Sequence, residues 1–477
     1  MINKNKKDLS VALADYLINA NVCKNDRCDN FAVNDAKEYV SPSHYLGFPA
    51  LHCSRCGSNA LLLSNEDINR ILLPKIDFYL TKITKACPNC YSLKSISYGK
   101  TQQHTLRRQC KVCQTVYNDD SCLTQQQLQQ QKKLILLCQL LFADNGLDFK
   151  TIIAELGISY SYFYHLLQQL EYIIAKNSLM IFKQKLWKKV YHISTQSLIV
   201  PAKNNVSLWG ITSVLSDSGY VLLNSLNYTE QVISLQSRYN GKNTQILSSE
   251  SKLSDIDQIL LKYDRFFERK SFDLLIYHSL PFTTDKYTLV EPVVCAYVHF
   301  HALRQFYHGL RTNHYLEHEI VLRSAAMTSY SQAIKHNHCA IYYLHELQPA
   351  NADILSIAKY KVGWWSNPWY ELKNAQHKTC RFMGLLTSKN KVSESEIASL
   401  PASFQMNERF YTRFYQYFPA AKLRKLSPKY LIQLLNIFTG FYNFCLLDAE
   451  QETPAQKAGI TIKPLSIEEL IKYPVSL

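Results

Sequence analysis

This 477-residue chain has little of what marks several large protein classes. Its 13 glycines and 15 prolines exclude a collagen-like or Gly/Pro-rich low-complexity chain. Charged residues make up only 19% against 47% apolar, which excludes an intrinsically disordered chain and leaves room for roughly two to four domains with real cores. Long hydrophobic runs are missing too. The longest apolar stretch lies near Leu134 to Phe142, about half a membrane span, and Gln139 interrupts it. No apolar run follows the basic opening MINKNKKDLSVALADY, so no membrane segment and no secretory leader are expected, and the expected location is the cytoplasm.

Acidic residues are scarce. There are 38 against 53 Lys plus Arg, a net charge of +15, and none between Phe78 and Asn118. That stretch carries Lys82, Lys85, Lys94, Lys100, Arg107, Arg108 and Lys111. Further basic runs are Lys183, Lys185, Lys188, Lys189, and then Lys422, Arg424, Lys425, Lys429. A basic chain of this kind suits a polyanion, nucleic acid first, although a basic balance also serves solubility alone.

Cysteine is plentiful and unevenly spread. Of the 14, eight fall in the first 113 residues, all in short-spaced pairs: Cys23 and Cys28, Cys53 and Cys56, Cys87 and Cys90, Cys110 and Cys113. In a reducing compartment such pairs read as metal ligands rather than disulfides. Two pairs together give four thiolates around one ion, a closed tetrahedral site that suits structural zinc and leaves no position for catalysis. Two zinc sites are therefore expected, with His52 a less favoured substitute beside Cys53. The isolated Cys122, Cys138, Cys295, Cys339, Cys380 and Cys445 read as core residues. Between the pairs of the second site, Ser95 to Tyr98 and Leu106 to Gln109 read as strands joined through Gly99. Lys94, Lys100 and the Arg107–Arg108 pair would then set cations on one face for DNA, unless the module serves protein contact instead.

After a glutamine-rich connector, Lys132 to Ala143 reads as a helix, Phe149 to Leu156 as a second, and Tyr160 to Ala175 as a third capped by Ser159. Gly157 supplies the left-handed turn. Three helices with a tight Gly-x-Ser turn form the layout of a helix-turn-helix, whose exposed Tyr160, Ser161, Tyr162 and His165 would face the major groove. A plain helical linker is the alternative, and Ile153 stands where that motif usually has a small residue. Strands follow from Val190, with a hairpin at Asp217-Ser218-Gly219, a helix over 254–266, a fourth strand over 271–280, and a helix-rich stretch from Ala296 to Lys335. That order is compatible with an RNase H-like sheet.

In this order the modules resemble bacterial insertion-sequence transposases of the DDE kind. The second ribbon (CPNC, YGKT, LRRQCKVCQTVY) is similar to that of InsA-type proteins, and Cys28-Asp29-Asn30 to a variant first ribbon. FYNF at Phe441 to Phe444 and TPAQKAGI at Thr453 to Ile460 look like the ending of related transposases. The resemblance implies three carboxylates holding two metal ions: one on the first strand, one ending the fourth, and one on a later helix. Here Ser194 or Thr195 and then His278 occupy the first two places. Asp217, Asp273, Glu371 and Glu408 are weak substitutes, and magnesium needs hard oxygen ligands.

The sequence therefore reads as a multidomain α+β protein: two tandem zinc ribbons (1–75 and 76–121), a helix-turn-helix (122–180), an RNase H-like α/β domain (181–460) with a helical insertion at about 310–403, and a tail (461–477). Its expected role is a nucleoid-associated, double-stranded DNA binder derived from a transposase and catalytically inactive, with Lys188 and Lys189 among the DNA contacts and homo-oligomerisation left open. The alternatives are an active divalent-metal transposase and a zinc-dependent protein-interaction module. The insertion's Tyr342, Tyr343, Trp364, Trp365 and Trp369 would pack a core or stack on unpaired bases.

Overall fold

A computed structural model describes residues 13–43, 49–102, 105–119, 125–143, 148–184, 190–203, 207–230, 254, 288–309, 311–347, 354–361, 368–387 and 393–472. Strands β1 (Tyr39–Ser43), β2 (Ala50–Cys53) and β3 (Ser58–Leu61) form one antiparallel sheet. Helix α1 (Asn65–Phe78) follows with Glu66 and Asp67 in its first turn, where negative charge suits the helix dipole. A second antiparallel sheet holds β4 (Ser95–Lys100), β5 (Leu106–Cys110) and β6 (Val116–Asp119), with β5 central.

Three helices come next: α2 (Gln125–Leu141), α3 (Phe149–Leu156) and α4 (Tyr160–Lys183). Gly157 ends α3 in the left-handed region at φ 61°, and the Ser159 side chain accepts the Tyr162 N–H to cap α4. Both devices stand where the sequence placed them. Helix α2 starts ahead of the expected Lys132, and α4 runs well past Ala175 because Ile174, Leu179, Ile181 and Phe182 continue its buried face.

Strands β7 (Val190–Pro201), β8 (Ser207–Leu215) and β9 (Val221–Leu226) are a meander, and Gly219 at φ 74° shapes its second turn. The short pair β10 (Tyr228–Thr229) and β11 (Thr288–Leu289) precedes α5 (Pro292–Phe306), β12 (Arg311–Glu317), α6 (Ile320–Ser329), α7 (Ser331–Lys335) and β13 (Cys339–Glu346). Then come β14 (Ile354–Lys361), β15 (Pro368–Asn374), β16 (Thr379–Leu385), α8 (Glu394–Ser399) and α9 (Gln405–Tyr417). The chain ends with α10 (Ala420–Leu423), α11 (Pro428–Phe444), α12 (Pro454–Lys457) and α13 (Ile467–Lys472). Among the described residues no helix is long and apolar enough to cross a membrane.

Two compact units share these elements. The sheet unit combines Ile18–Ile68 with Lys188–Arg409. Its eight strands run in the order β14-β15-β16-β13-β12-β7-β8-β9. Strands β7, β12 and β13 are parallel, and the pairs on either side are antiparallel. Every residue of α5 from Pro292 to Leu303 is buried, as expected of a helix that is apolar all round. The first cysteine module belongs to this unit: Lys24 Nζ lies 5.7 Å from the Tyr297 ring of α5, and Lys335 Nζ of α7 lies 5.7 Å from the Phe31 ring.

One expectation changes here. The stretch from Ala296 to Lys335 is helix-rich as expected, with β12 set between its helices. The 310–403 region holds more strand than helix and is not a helical insertion; it supplies β12 through β16 of the large sheet. The sequence RTNHYLE has a weak strand signal by itself, and parallel pairing with β7 and β13 on both sides fixes it. The expected helix at 254–266 and strand at 271–280, with Asp273 and His278, lie outside the described residues. Of the insertion's aromatics, Tyr342, Tyr343 and Trp369 are buried, which favours the core reading for these three. Trp369 lies so close to Gly384 that a Cβ there would stand 2.5 Å from the indole. Trp364 and Trp365 lie outside the described residues.

The helical unit combines Met1–Leu17, Asn69–Trp187 and Phe410–Leu477. Its core gathers aromatics: Phe142 stacks on Phe441 at 4.0 Å, and Phe438 adjoins Phe410, Phe414 and Tyr417. The buried Asn177 amide of α4 donates to the Leu470 carbonyl of α13 at 2.7 Å.

Candidate functional site

The eight paired cysteines come together as two groups, Cys23, Cys28, Cys53, Cys56 and Cys87, Cys90, Cys110, Cys113. Within each group all four sulfurs lie within 4.8 Å of one another, and none of the eight is in a disulfide. Zinc with four Zn–S bonds of about 2.3 Å sets its sulfurs about 3.8 Å apart. The close pairs here are 3.5 Å (Cys23–Cys56), 3.9 Å (Cys28–Cys53), 3.5 Å (Cys87–Cys113) and 3.5 Å (Cys90–Cys110). The donor set and its spacing fit zinc.

The local backbone explains why CxxC makes such a site. At three of the four pairs the chain folds back through a left-handed residue, Gly57, Tyr91 or Gln114, at φ 72°, 56° and 59°. Each donates its N–H to the carbonyl of the first cysteine, Cys53, Cys87 or Cys110, at 2.8, 2.9 and 3.1 Å. Backbone N–H groups then reach sulfur: Asn89 to Cys87 and Val112 to Cys110, both at 3.4 Å. Such donors favour thiolate over thiol. With the Thr115 hydroxyl 3.3 Å away and its N–H also bonded, the Cys113 pKa drops to about 5. Burial works against the charge on Cys53, but the Asn30 amide at 3.6 Å and neighbouring N–H groups outweigh it and hold that thiol below its usual range. Burial pushes Cys23 and Cys87 up and Cys28 to about 11, and Cys90 rises to about 12 although the Ser92 N–H opposes the shift, so these four would ionise only with the metal's help. His52 stands outside the group, with its Nδ1 3.0 Å from the Asn59 side chain.

The described candidate DNA contacts sit on two elements, the second cysteine module and α4. Lys94 and Lys100 are exposed on the second cysteine module, while Arg107 and Arg108 are half-buried. Arg107 lies 5.4 Å from the Tyr98 ring. Because consecutive strand residues point to opposite faces, Arg107 and Arg108 cannot share one face as expected. On α4, Tyr160, Ser161 and His165 are exposed, while Phe163, Leu166 and Leu167 face inward. Tyr162 is half-buried beneath Lys133 Nζ at 5.3 Å. His165 Nε2 lies 2.9 Å from the Gln169 amide. Lys188 and Lys189 lie outside the described residues.

At the centre of the large sheet, Ser194 and Thr195 of β7 are fully buried on opposite faces. Ser194 Oγ donates to the Ser403 carbonyl at 2.5 Å and lies 2.6 Å from Ser216 Oγ. Asn407, in the first turn of α9, donates to the Thr212 carbonyl at 3.0 Å. Behind the sheet Thr195, Ser213, His299 and Ser225 form a chain of contacts at 2.7, 2.8 and 3.0 Å.

The acids are spread out. Asp217 is exposed in the β8–β9 turn, and Glu408 is exposed beside the buried Asn407. Glu371 lies on β15, where burial opposes its charge but Thr379, Tyr360 and Lys373 more than compensate and keep it ionised. Sequence reasoning missed Glu317 and Glu346, which end β12 and β13. Glu317 accepts the Ser197 N–H at 2.8 Å, and Glu346 accepts the Ser403 hydroxyl and the Phe404 N–H, both at 2.7 Å. Burial raises the Glu346 pKa despite those donors. Among the described residues, the two four-thiol groups are the clusters close enough to hold an ion, and no set of three carboxylates is.

No family model and no curated protein matches this chain. Among solved structures, a cryo-EM structure of a piggyBac transposase synaptic complex with hairpin DNA is similar at 9% identity. That likeness covers 74% of this chain and 72% of the other, with a TM-score of 0.27, a similarity too slight to define a fold.

Proposed function

We propose that this chain is a zinc-stabilised, double-stranded DNA-binding protein derived from a transposase, without nuclease activity. The observation that carries the reading is the start of α4. Directly after the Gly157–Ser159 turn it offers Tyr160, Ser161 and His165 to solvent on a helix anchored by Phe163, Leu166 and Leu167. A helix-turn-helix reads bases with the N-terminal residues of its second motif helix in this arrangement. The run β9-β8-β7-β12-β13, three antiparallel strands with two more added parallel to the first, supports an RNase H-like origin for the sheet unit. Inactivity is supported by chemistry: a hydroxyl on Ser194 and an amide on Asn407 cannot replace the hard carboxylates that two metal ions require.

The test is retardation of mixed-sequence duplex by the zinc-loaded chain at low salt. On a duplex carrying a sequence the chain prefers, Tyr160→Ala with His165→Ala should weaken binding about tenfold or more, given about 1–3 kcal/mol per good base contact, with zinc content unchanged. A chain that retards no duplex would overturn the proposal. Nicking that requires magnesium or manganese and is lost in Asp217→Ala, Asp273→Ala or Glu317→Gln would overturn the inactive part.

One observation favours a second reading as a protein-interaction module. Leu93, Ile96, Tyr98 and Val112 are exposed to 67%, 43%, 46% and 62% on the second cysteine module. Self-association lost in Leu93→Ser with Val112→Ser, in a chain blind to duplex, would establish that reading instead.

A further inference from the structure

We propose that the segment between α10 and α11, through Arg424 and Lys425, grips backbone phosphates of the same duplex whose bases α4 reads. This rests on the reading of α4 as a DNA-reading helix and adds a second, distant part of the chain to that interface.

Helices α4 and α11 lie side by side within the helical unit, and three contacts fix their direction. Tyr164 stacks on Tyr430 with ring centroids 3.8 Å apart and planes at 18°. Further along, Asn436 Nδ2 donates to Glu171 Oε1 at 2.7 Å. Further still, Ile174 lies over Gly440, where an added Cβ would be 2.1 Å from Ile174 Cγ2. Residue numbers rise together along both helices, so the pair is parallel and both N-termini lie at one end. On α4 that end carries Tyr160, one turn before Tyr164 and 52% exposed. On α11 it carries the approach Lys422, Arg424, Lys425 and Lys429.

Burial and charge aim this segment outward. Leu423 and Leu426 are buried anchors, and the two cations between them, Arg424 and Lys425, are exposed. From Arg409 to Leu447 the chain has no acidic residue, while Arg409, Arg413, Lys422, Arg424, Lys425 and Lys429 all fall within it. The acid on the facing helix, Glu171, lies beyond Tyr164 and is engaged by Asn436. A duplex seated on the first turn of α4 presents flanking phosphates beside that turn. An Arg fork and a Lys ammonium there match phosphate oxygens, fix register, and carry no base preference.

The experiment measures affinity of the full zinc-loaded chain for a fluorescent mixed-sequence duplex by anisotropy, over a salt series. Wild type is compared with Arg424→Gln/Lys425→Gln, and with Lys359→Gln/Lys361→Gln, which removes two exposed cations from β14 of the sheet unit. Losing two phosphate contacts should make the slope of log affinity against log salt shallower by about 2, at about 0.9 per contact. The β14 variant should keep the wild-type slope, and Arg424→Lys should restore most of the loss expected from that position. An unchanged slope in the Arg424/Lys425 variant, or an equal change in the β14 variant, overturns the proposal while leaving the DNA-binding reading intact. No wild-type binding to any duplex overturns both.

Discussion

His314 shows how one side chain can set the acid limit of the sheet unit. It is fully buried on β12 with its ring 4.4 Å from that of Tyr330, and among the described residues neither ring nitrogen finds a hydrogen-bond partner. Burial holds its pKa down to about 3, so the native form is the neutral imidazole. Once unfolded it titrates near 6.5. Below that pH the unfolded chain takes up a proton that the native chain refuses. Stability present above pH 6.5 is therefore lost as pH falls toward 3, by about 1.4 kcal/mol per pH unit. His314→Phe should flatten this fall, read as denaturant stability of wild type and variant at pH 6.5 and 4.5. Equal losses in the two proteins would show that the histidine does not contribute.

At this scale the sequence was legible where spacing encodes geometry and silent where the fold brings distant groups together. Six of the eight cysteines were identifiable because CxxC is a local device, closed by Gly57, Tyr91 and Gln114 within four residues of the first sulfur, and Cys23 and Cys28 because their short spacing pairs them in the same way. The Thr115 contact, two residues past Cys113, follows from the same local turn, whereas the Asn30 amide reaches Cys53 from 23 residues away. Asn407 could not: its neighbour Glu408 attracts attention as an acid, and only the helical phase of α9 on the sheet shows that the amide is the buried member.

Among elements, α4 with α11 and the second cysteine module make the clearest predictions. Gly440→Ala would drive a methyl into Ile174 and should cost about 1–3 kcal/mol of helical-unit stability. Adding Ile174→Ala should recover part of that cost. If the double variant is no more stable than the sum of the single effects, the two residues do not meet as described. Cys87→Ser should open the second cysteine module, exposing amides of β4 to β6 to hydrogen exchange while those of β7 and β12 keep their protection, because the altered site lies in the other unit. Loss of protection in both places would contradict that independence.

Helices α3 and α4 were readable from their glycine turn and serine cap, and the β7–β9 meander from its apolar, β-branched runs and its Asp217-Ser218-Gly219 turn. Strand β12 was not. It is polar, and it borrows its conformation from β7 and β13, so no pattern within RTNHYLE betrays it. Nor could sequence spacing show α4 and α11 running parallel, since that depends on the Tyr164–Tyr430 and Ile174–Gly440 contacts.

For the whole molecule, the two four-thiol centres are the sites where bound metal would add most to stability. One is embedded in the sheet unit and the other in the helical unit, so metal loss should affect both parts of the protein. Metal analysis of the purified chain should give about two zinc ions per molecule, and chelation should release them with loss of cooperative unfolding in each unit. Fewer than about one ion per molecule would undo the zinc assignment. Part of the positive charge, Lys422, Arg424, Lys425 and Lys429, lies on the approach to α11 at the end where α4 exposes Tyr160.

The most direct test of the central claim is selection of bound sequences by the zinc-loaded chain from a random pool of DNA duplexes. A base-reading α4 predicts enrichment of a defined motif whose preference shifts when Tyr160, Ser161 and His165 are replaced together. A pool that emerges unenriched, or a motif indifferent to those three residues, would contradict it.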